Sequence, residues 1–320
     1  MKNVDLYAFH RLRRLLKLSL QIECSTVCNL KCKGCYRTIH DYPHKNKLLL
    51  FDEFKFYIDQ MPNRLGSLTL HGLGEPMLNP DISKIVDYVM KTKPCNIEFT
   101  TNFLAAEYKD YIDVLEKGLG MLTISVDSLD QKEVDRLRNG TDVEELIRRI
   151  KLITKTKHNR RTLFWITVSK LNLDTYVNTT ERLLELGARK VFYQVYLDYG
   201  IKDFCLSEQE KKEIIETSKK LKEKYKGRVG RYASWFEKTK RPCHRITAPF
   251  ITVDGRILPC CLLSGSTINP IGNIHDKPFK ELYYSKKVTK MYQNIKNGKY
   301  FPFCGSYAST GHCDGKHIDD

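Results

Sequence analysis

Apolar positions along the 320-residue chain recur in two rhythms. Six short apolar runs, "SLQIEC" (19–24), "SLTLHG" (67–72), "NIEFTTN" (96–102), "MLTISVD" (121–127), "LFWITVS" (163–169) and "KVFYQVYLD" (190–198), read as strands. Between them, "FDEFKFYIDQM", "PDISKIVDYVMKT", "EYKDYIDVLEKG", "DVEELIRRIKLITKT" and "DTYVNTTERLLELG" carry apolar residues three and four apart, the spacing of one helix face. The strands are largely apolar rather than alternating, as expected where both faces of a parallel sheet are covered. Successive β–α pairs predict an α/β fold, a partial (β/α)6 TIM-like barrel. In such sheets ligands sit at the carboxyl ends of the strands.

The flanks read differently. Residues 1–18 form an amphipathic helix with Leu6, Phe9, Leu12 and Leu16 on one side, expected to pack on the core that follows at 19–205. A helical linker over 206–242, with its charged helix at 207–226, leads to a small cysteine-rich extension at 243–320. There "FITVDGRILPCC" predicts a hairpin turning at Asp254 and Gly255, followed by a helix around 278–297.

Composition narrows the classes. A hydrophobic share of 41% supports a sizeable core and argues against disorder. No apolar run approaches the ~18 residues of a membrane span, and charges interrupt the first twenty positions too often for a signal peptide. The expectation is a cytoplasmic, reduced protein, in which clustered cysteines serve as metal ligands or redox groups. Against 38 acidic side chains stand 54 basic ones, a net charge of +16 that favours anionic partners. Much of the excess lies in "SEQEKKEIIETSKKLKEKYKGR", a solvated helix face. With no arginine–aromatic platform or nucleic-acid module, a nucleic-acid partner is not expected.

Cys28, Cys32 and Cys35 follow the first strand with the spacing C-x3-C-x2-C. Structural zinc wants four closed ligands, commonly as two C-x2-C pairs, and a dithiol redox site wants one C-x-x-C. Three thiolates on one loop suit a [4Fe–4S] cubane with one iron left open for a small molecule. Cys24 falls in the strand and reads as structural.

This loop resembles that of the radical S-adenosylmethionine (SAM) superfamily. "HGLGEP", with Gly72, Gly74, Glu75 and Pro76, resembles the family's Gly-Gly-Glu-Pro motif, which holds the amino group of SAM. "TTN" (Thr100, Thr101, Asn102) and "SVD" (Ser125, Asp127) end the next two strands, where the family's polar side chains meet the ribose and carboxylate of SAM. One departure stands out: the family's aromatic residue before the third cysteine is here Gly34, and Tyr36 is the nearby ring that would cover the cluster or the adenine. The resemblance implies reductive cleavage of SAM to a 5′-deoxyadenosyl radical, with an external electron donor such as flavodoxin or ferredoxin.

Cys243, Gly255 and Cys260 resemble the opening of the SPASM and twitch extensions, which hold auxiliary [4Fe–4S] clusters. Cys304 and Cys313 continue the pattern, but Tyr307 and His317 stand where further cysteines would fall. The resemblance thus implies one auxiliary cluster on Cys243, Cys260, Cys304 and Cys313, with Cys261, His312 and His317 as weaker candidates, against a small zinc subdomain as the other reading. Cys95 reads as packing, and Cys205, after the last barrel strand, is a candidate hydrogen-atom donor.

The resulting expectation is a radical SAM oxidoreductase acting on a small polar metabolite or a peptide side chain, with the auxiliary cluster accepting an electron. Peptide cross-linking or epimerisation is the alternative within the family. An RNA-modifying protein and a non-catalytic iron–sulfur scaffold are the alternatives outside it. The few residues ahead of the first strand leave no separate peptide-recognition domain there, which weakens a leader-peptide reading.

Overall fold

A computed structural model describes residues 18–42, 44–231, 247–264 and 271–297. The predicted N-terminal helix lies outside these residues, apart from Leu18. All six expected strands are present: β1 (Leu18–Ile22), β3 (Leu65–Thr69), β4 (Asn96–Thr101), β5 (Leu119–Ser125), β7 (Thr162–Val168) and β8 (Val191–Val195). They pair in that order, every neighbouring pair parallel. β9 (Val229–Arg231), from the segment read as a linker, adds another parallel strand beside β8.

Helices cover the outer face: α1 (Phe51–Asp59), α2 (Ile82–Thr92), α3 (Tyr108–Glu116), α4 (Gln131–Leu137), α5 (Val143–Thr154), α6 (Tyr176–Glu185) and α7 (Glu208–Lys224). The apolar stripe does what its spacing predicts: Ile82, Ile85, Val86 and Val89 of α2 are all buried. Side-chain caps fix the starts, as where Asp142 accepts from Glu145 N–H on α5 and Ser207 from Glu210 N–H on α7. Of α7, only Lys211, Ile214, Ser218 and Leu221 are buried, so the charged stretch is mostly a solvated face.

One expectation needs correcting. The strands are not equally buried on both faces: β1, β7 and β8 alternate between fully buried and half-buried positions. Phe164, Ile166 and Val168 of β7 pack under the helices, while Trp165 and Thr167 face the half-open interior. An incomplete barrel leaves its inner face wet toward the carboxyl ends of the strands, and polar side chains occupy it.

The extension joins this sheet directly. β10 (Phe250–Ile251) pairs parallel with β1, and β11 (Arg256–Leu258) returns antiparallel through the predicted Asp254–Gly255 turn. β12 (Gly272–Asn273) follows antiparallel on β11, so that among the described residues β12 and β9 are the edges of a ten-stranded sheet. The helix expected at 278–297 is two helices, α8 (Phe279–Tyr283) and α9 (Lys286–Lys296), because Ser285 restarts the second by accepting from Val288 N–H.

Candidate active site

Past Ile22 the chain buries Glu23 and Cys24 and enters the loop of Cys28, Cys32 and Cys35. Cys24 is fully buried and its thiol donates to Leu70 C=O at 3.1 Å, a packing role. The loop is clamped by a two-residue ladder, β2 (Lys31–Cys32) against β6 (Arg138–Asn139), which sets Cys32 opposite Arg138. Cys28, Cys32 and Cys35 all line one cavity of about 420 Å³ at the carboxyl ends of the strands.

The following loops meet there by mutual hydrogen bonding. Gly74 N–H donates to Ser25 C=O at 3.1 Å and Glu75 N–H to Val27 C=O at 2.7 Å, tying the loop after β3 to the chain entering the cysteines. The buried Glu75 carboxylate accepts from Thr101 hydroxyl (2.6 Å), Asn102 N–H (2.8 Å) and Met77 N–H (3.2 Å). Burial raises its pKa despite these donors, so a further cation at this wall would be favoured. Asn102 in turn donates to Asn29 Oδ1 at 2.8 Å. Asp127, past β5, accepts from Thr167 N–H at 2.8 Å and pairs with Arg138 at 3.3 Å. Gly72, Gly74, Glu75, Thr100, Thr101, Asn102, Ser125 and Asp127 all line the cavity, on the side chains' own elements at three successive strand ends.

The donor set fits a cubane. Burial pushes the Cys32 thiol up to about 12, against the pull of Arg138, and raises Cys28 as well. Buried neutral thiols must lose protons to bind iron, and a nearby cation makes that easier. Arg138 provides it: although burial works against its charge, the ion pair with Asp127 holds it protonated, and the thiols would add to this once ionised. Three thiols would hold a cubane one protein ligand short of four, with Arg138 and the adjoining cavity beside it.

Several wall residues were not anticipated. Arg138 carries no sequence signature, since only the β2–β6 ladder brings it to the loop. Gln21, His71, Trp165, Thr167 and Gln194 line the interior, and the polar ones are visible in hindsight as polar side chains near the ends of apolar strands. Tyr196 and Phe204 also line the cavity. A Cβ on Gly34 would sit 2.8 Å from Tyr196 Cε2 and 3.1 Å from the Phe204 ring, so any larger side chain there would have to push these rings aside.

Other expected residues lie elsewhere. Tyr36 is off the cavity wall, its ring 4.4 Å from that of His40 and 5.8 Å from that of Tyr199. Pro76 is buried in a short helical turn behind Glu75. Cys205 packs beside Tyr196 and Phe204 without lining the cavity, and its thiol points to Ile201 C=O at 3.7 Å. Of the extension's cysteines, Cys261 lines the cavity and its neighbour Cys260 does not. Cys243, Cys304, Cys313, His312 and His317 lie outside the described residues.

Comparisons with known proteins bear on this geometry. The profile of the Radical SAM superfamily matches residues 22–193, and that of the SPASM iron-sulfur cluster-binding domain matches residues 243–313. A probable GTP 3',8-cyclase of Methanococcus maripaludis is 27% identical over 129 residues, 40% of this chain and 42% of that protein's length. The GTP 3',8-cyclase of Aquifex aeolicus is 32% identical over 202 residues, 59% of each chain. Among solved structures, Streptococcus suis SuiB bound to precursor peptide SuiA superposes with a TM-score of 0.71 at 16% identity, covering 97% of this chain and 74% of SuiB. BtrN in complex with AdoMet and 2-DOIA gives a TM-score of 0.52 at 15% identity, covering 93% and 92%. At these identities the structural likeness concerns the fold. Among the described residues, no helix is long and apolar enough to cross a membrane.

Proposed function

Because the chain belongs to the radical SAM superfamily, we propose that its cavity seats SAM beside a [4Fe–4S] cluster on Cys28, Cys32 and Cys35 and oxidises a polar substrate. The observation that carries this reading is that one cavity is walled both by these thiols and by Cys261 of the iron-sulfur extension. A substrate between them can lose a hydrogen atom on one side and an electron toward the other.

Bound together, cluster and SAM supply a 5′-deoxyadenosyl radical as the hydrogen acceptor. The chain's own residues position and enclose. Glu75 presents its carboxylate edge and the Gly72–Gly74 backbone to the amino end of SAM, Arg138 faces its carboxylate end, and Thr101, Asn102, Ser125 and Asp127 bracket the ribose. Gln21, Thr167 and Gln194 give a substrate uncharged hydrogen-bonding partners, with the His71 side chain beside them. This wall suits a peptide side chain or a polyol; among the structural neighbours, SuiB was crystallised with its precursor peptide and BtrN with 2-DOIA.

A nucleoside triphosphate substrate, as the relatives' names indicate, is the second reading, favoured by their identity to this chain. Among the described wall residues, however, Arg138 is the one lysine or arginine, and Asp127 already pairs with it.

The test is anaerobic turnover of cluster-loaded protein with SAM, reductant and candidate peptides, polyols or GTP. The expected result is one two-electron-oxidised product per 5′-deoxyadenosine, with Cys260→Ala retaining SAM cleavage and losing oxidation. Substrate consumption without net oxidation, or cyclisation of GTP, overturns it.

A further inference from the structure

Outside the cavity, one residue past β1, Glu23 is a fully buried carboxylate with three donors. Its Oε1 accepts from Leu73 N–H at 2.9 Å and from Ser264 hydroxyl at 2.8 Å. Its Oε2 accepts from Val253 N–H at 3.3 Å and lies 3.7 Å from His44 Nε2. Leu73 is a cavity-wall residue between Gly72 and Gly74, whereas Val253 and Ser264 belong to the iron-sulfur extension, Ser264 three residues past Cys261. The fit is close: a Cβ on Gly72 would fall 2.2 Å from Glu23 Oε1.

A fully buried acid is costly unless each lone pair it presents is used, and a backbone N–H left without its acceptor is costly too. Neither Leu73 nor Ser264 can therefore shift without disturbing the other's acceptor. The two donors come from opposite sides of the molecule's division of labour, one from the loop beside the cavity and one from the extension, 241 residues from Glu23 in sequence. His44 closes the far side, with Arg256 donating to its Nδ1 at 2.8 Å and ion-pairing with Asp254 at 3.2 Å.

We propose that Glu23 is a positioning residue that couples the C-terminal extension to the SAM-binding loop: Ser264 and Val253 fix the carboxylate, and the carboxylate fixes Leu73 and with it Gly72–Glu75. This rests on the reading that the cavity binds SAM. Coupling of this kind is reciprocal, so SAM binding tightens the attachment of the extension by the same factor.

The experiment is calorimetric titration of SAM into cluster-loaded protein without substrate, comparing the parent with Ser264→Ala, Glu23→Ala, their double variant and Glu23→Gln. Ser264 lies off the cavity wall, so its hydroxyl reaches SAM affinity through Glu23 alone. Ser264→Ala is expected to weaken SAM by about threefold to tenfold, the loss of one hydrogen bond to a carboxylate partly relayed. Glu23→Ala weakens it at least as much, and the double variant no further, the mark of two residues acting as one unit. Glu23→Gln keeps an oxygen toward Leu73 and Ser264 but turns an NH2 toward Val253 N–H, so its SAM affinity is expected between those of the parent and Glu23→Ala. Unchanged affinity in Ser264→Ala at parental iron content, or effects that add in the double variant, overturns the coupling alone. Where Glu23→Ala does not fold, Ser264→Ala against the parent decides. Failure of the parent to bind SAM overturns the reading of the cavity and the coupling with it.

Discussion

Tyr196 occupies the space that a side chain at Gly34 would need, its Cε2 2.8 Å from where a Cβ would be placed. The ring that the family places in the cysteine loop is thus met here by rings from beyond β8, Tyr196 and Phe204, both on the cavity wall. Gly34→Ala should weaken SAM binding about tenfold or lower iron retention, as expected when overpacking displaces rings on a binding wall. Adding Tyr196→Ala should recover much of the loss. Calorimetry and iron analysis of the two variants check this; a double variant worse than either single one would show that the rings and Gly34 act separately.

Glu23 also sets a pH dependence. Burial, opposed by its donors Leu73, Ser264 and Val253 and aided by Asp254, pushes its pKa up to about 7 from 4.5. A carboxyl raised by folding favours the folded state below its unfolded pKa, and that contribution is lost as pH rises through the folded value. The window is therefore about pH 4.5 to 7, and its full span is on the order of 3 kcal/mol. Glu23→Gln cannot ionise, so its melting temperature should gain on the parent's between pH 5 and pH 8. Burial lowers the pKa of neighbouring His44, whose contribution runs the other way and is lost as pH falls. Both proteins retain His44, so its own contribution largely cancels in the difference between their melting curves, which reports Glu23 together with its contact to His44. A constant difference across this range would show that Glu23 does not titrate there.

Arg138 stands between Asp127 and the Cys32 and Cys28 thiols, and removing its charge should make a cluster held by those thiols harder to reduce. Arg138→Gln is expected to shift the midpoint of the SAM-site cluster to more negative potential and to weaken SAM binding. Arg138→Lys should recover part of the first effect and less of the second, since a point charge replaces a fork of donors. An EPR-monitored redox titration distinguishes these outcomes from simple loss of the cluster.

Iron counting separates the two thiol sets. About eight irons in the reconstituted parent and about four in Cys28/Cys32/Cys35→Ala correspond to two cubanes, one of them auxiliary. About four and almost none would leave the extension without a cluster.

Cys205 offers a sharp contrast between reaction outcomes. Its thiol is held neutral by burial and by nearby Asp198, and it lies behind the aromatic wall rather than on it. Cys205→Ala should leave two-electron oxidation unchanged. A product that loses solvent-derived deuterium in this variant would point instead to hydrogen return and a redox-neutral reaction.

The barrel strands were legible because β–α alternation is a local signal, and each strand fell within a few residues of its place. What escaped notice was short or depended on pairing. α4 is seven residues of mostly polar sequence, and β2 and β6 are two residues each, recognisable only once they face each other. The wet inner face was hidden because Leu163 and Trp165 fill inward positions of β7 alongside Thr167, so the strand reads as one apolar run. The site divides the same way. Cys28, Cys32, Cys35, Glu75 and Asn102 sit in contiguous motifs, whereas Arg138, Tyr196 and the Glu23–Ser264 contact come from distant segments that only the folded sheet brings together.

The pairing of β10 with β1 changes what can be cut away. Gln21 N–H donates to Pro249 C=O at 3.0 Å and Glu23 N–H to Ile251 C=O at 2.8 Å, so the extension shields a strand that would otherwise end the barrel. A protein shortened to the barrel alone would present β1 as a bare apolar edge, a template for strand addition from another molecule. Insolubility after such a truncation would report the loss of this cover, and would say nothing about the iron-sulfur chemistry of the missing part.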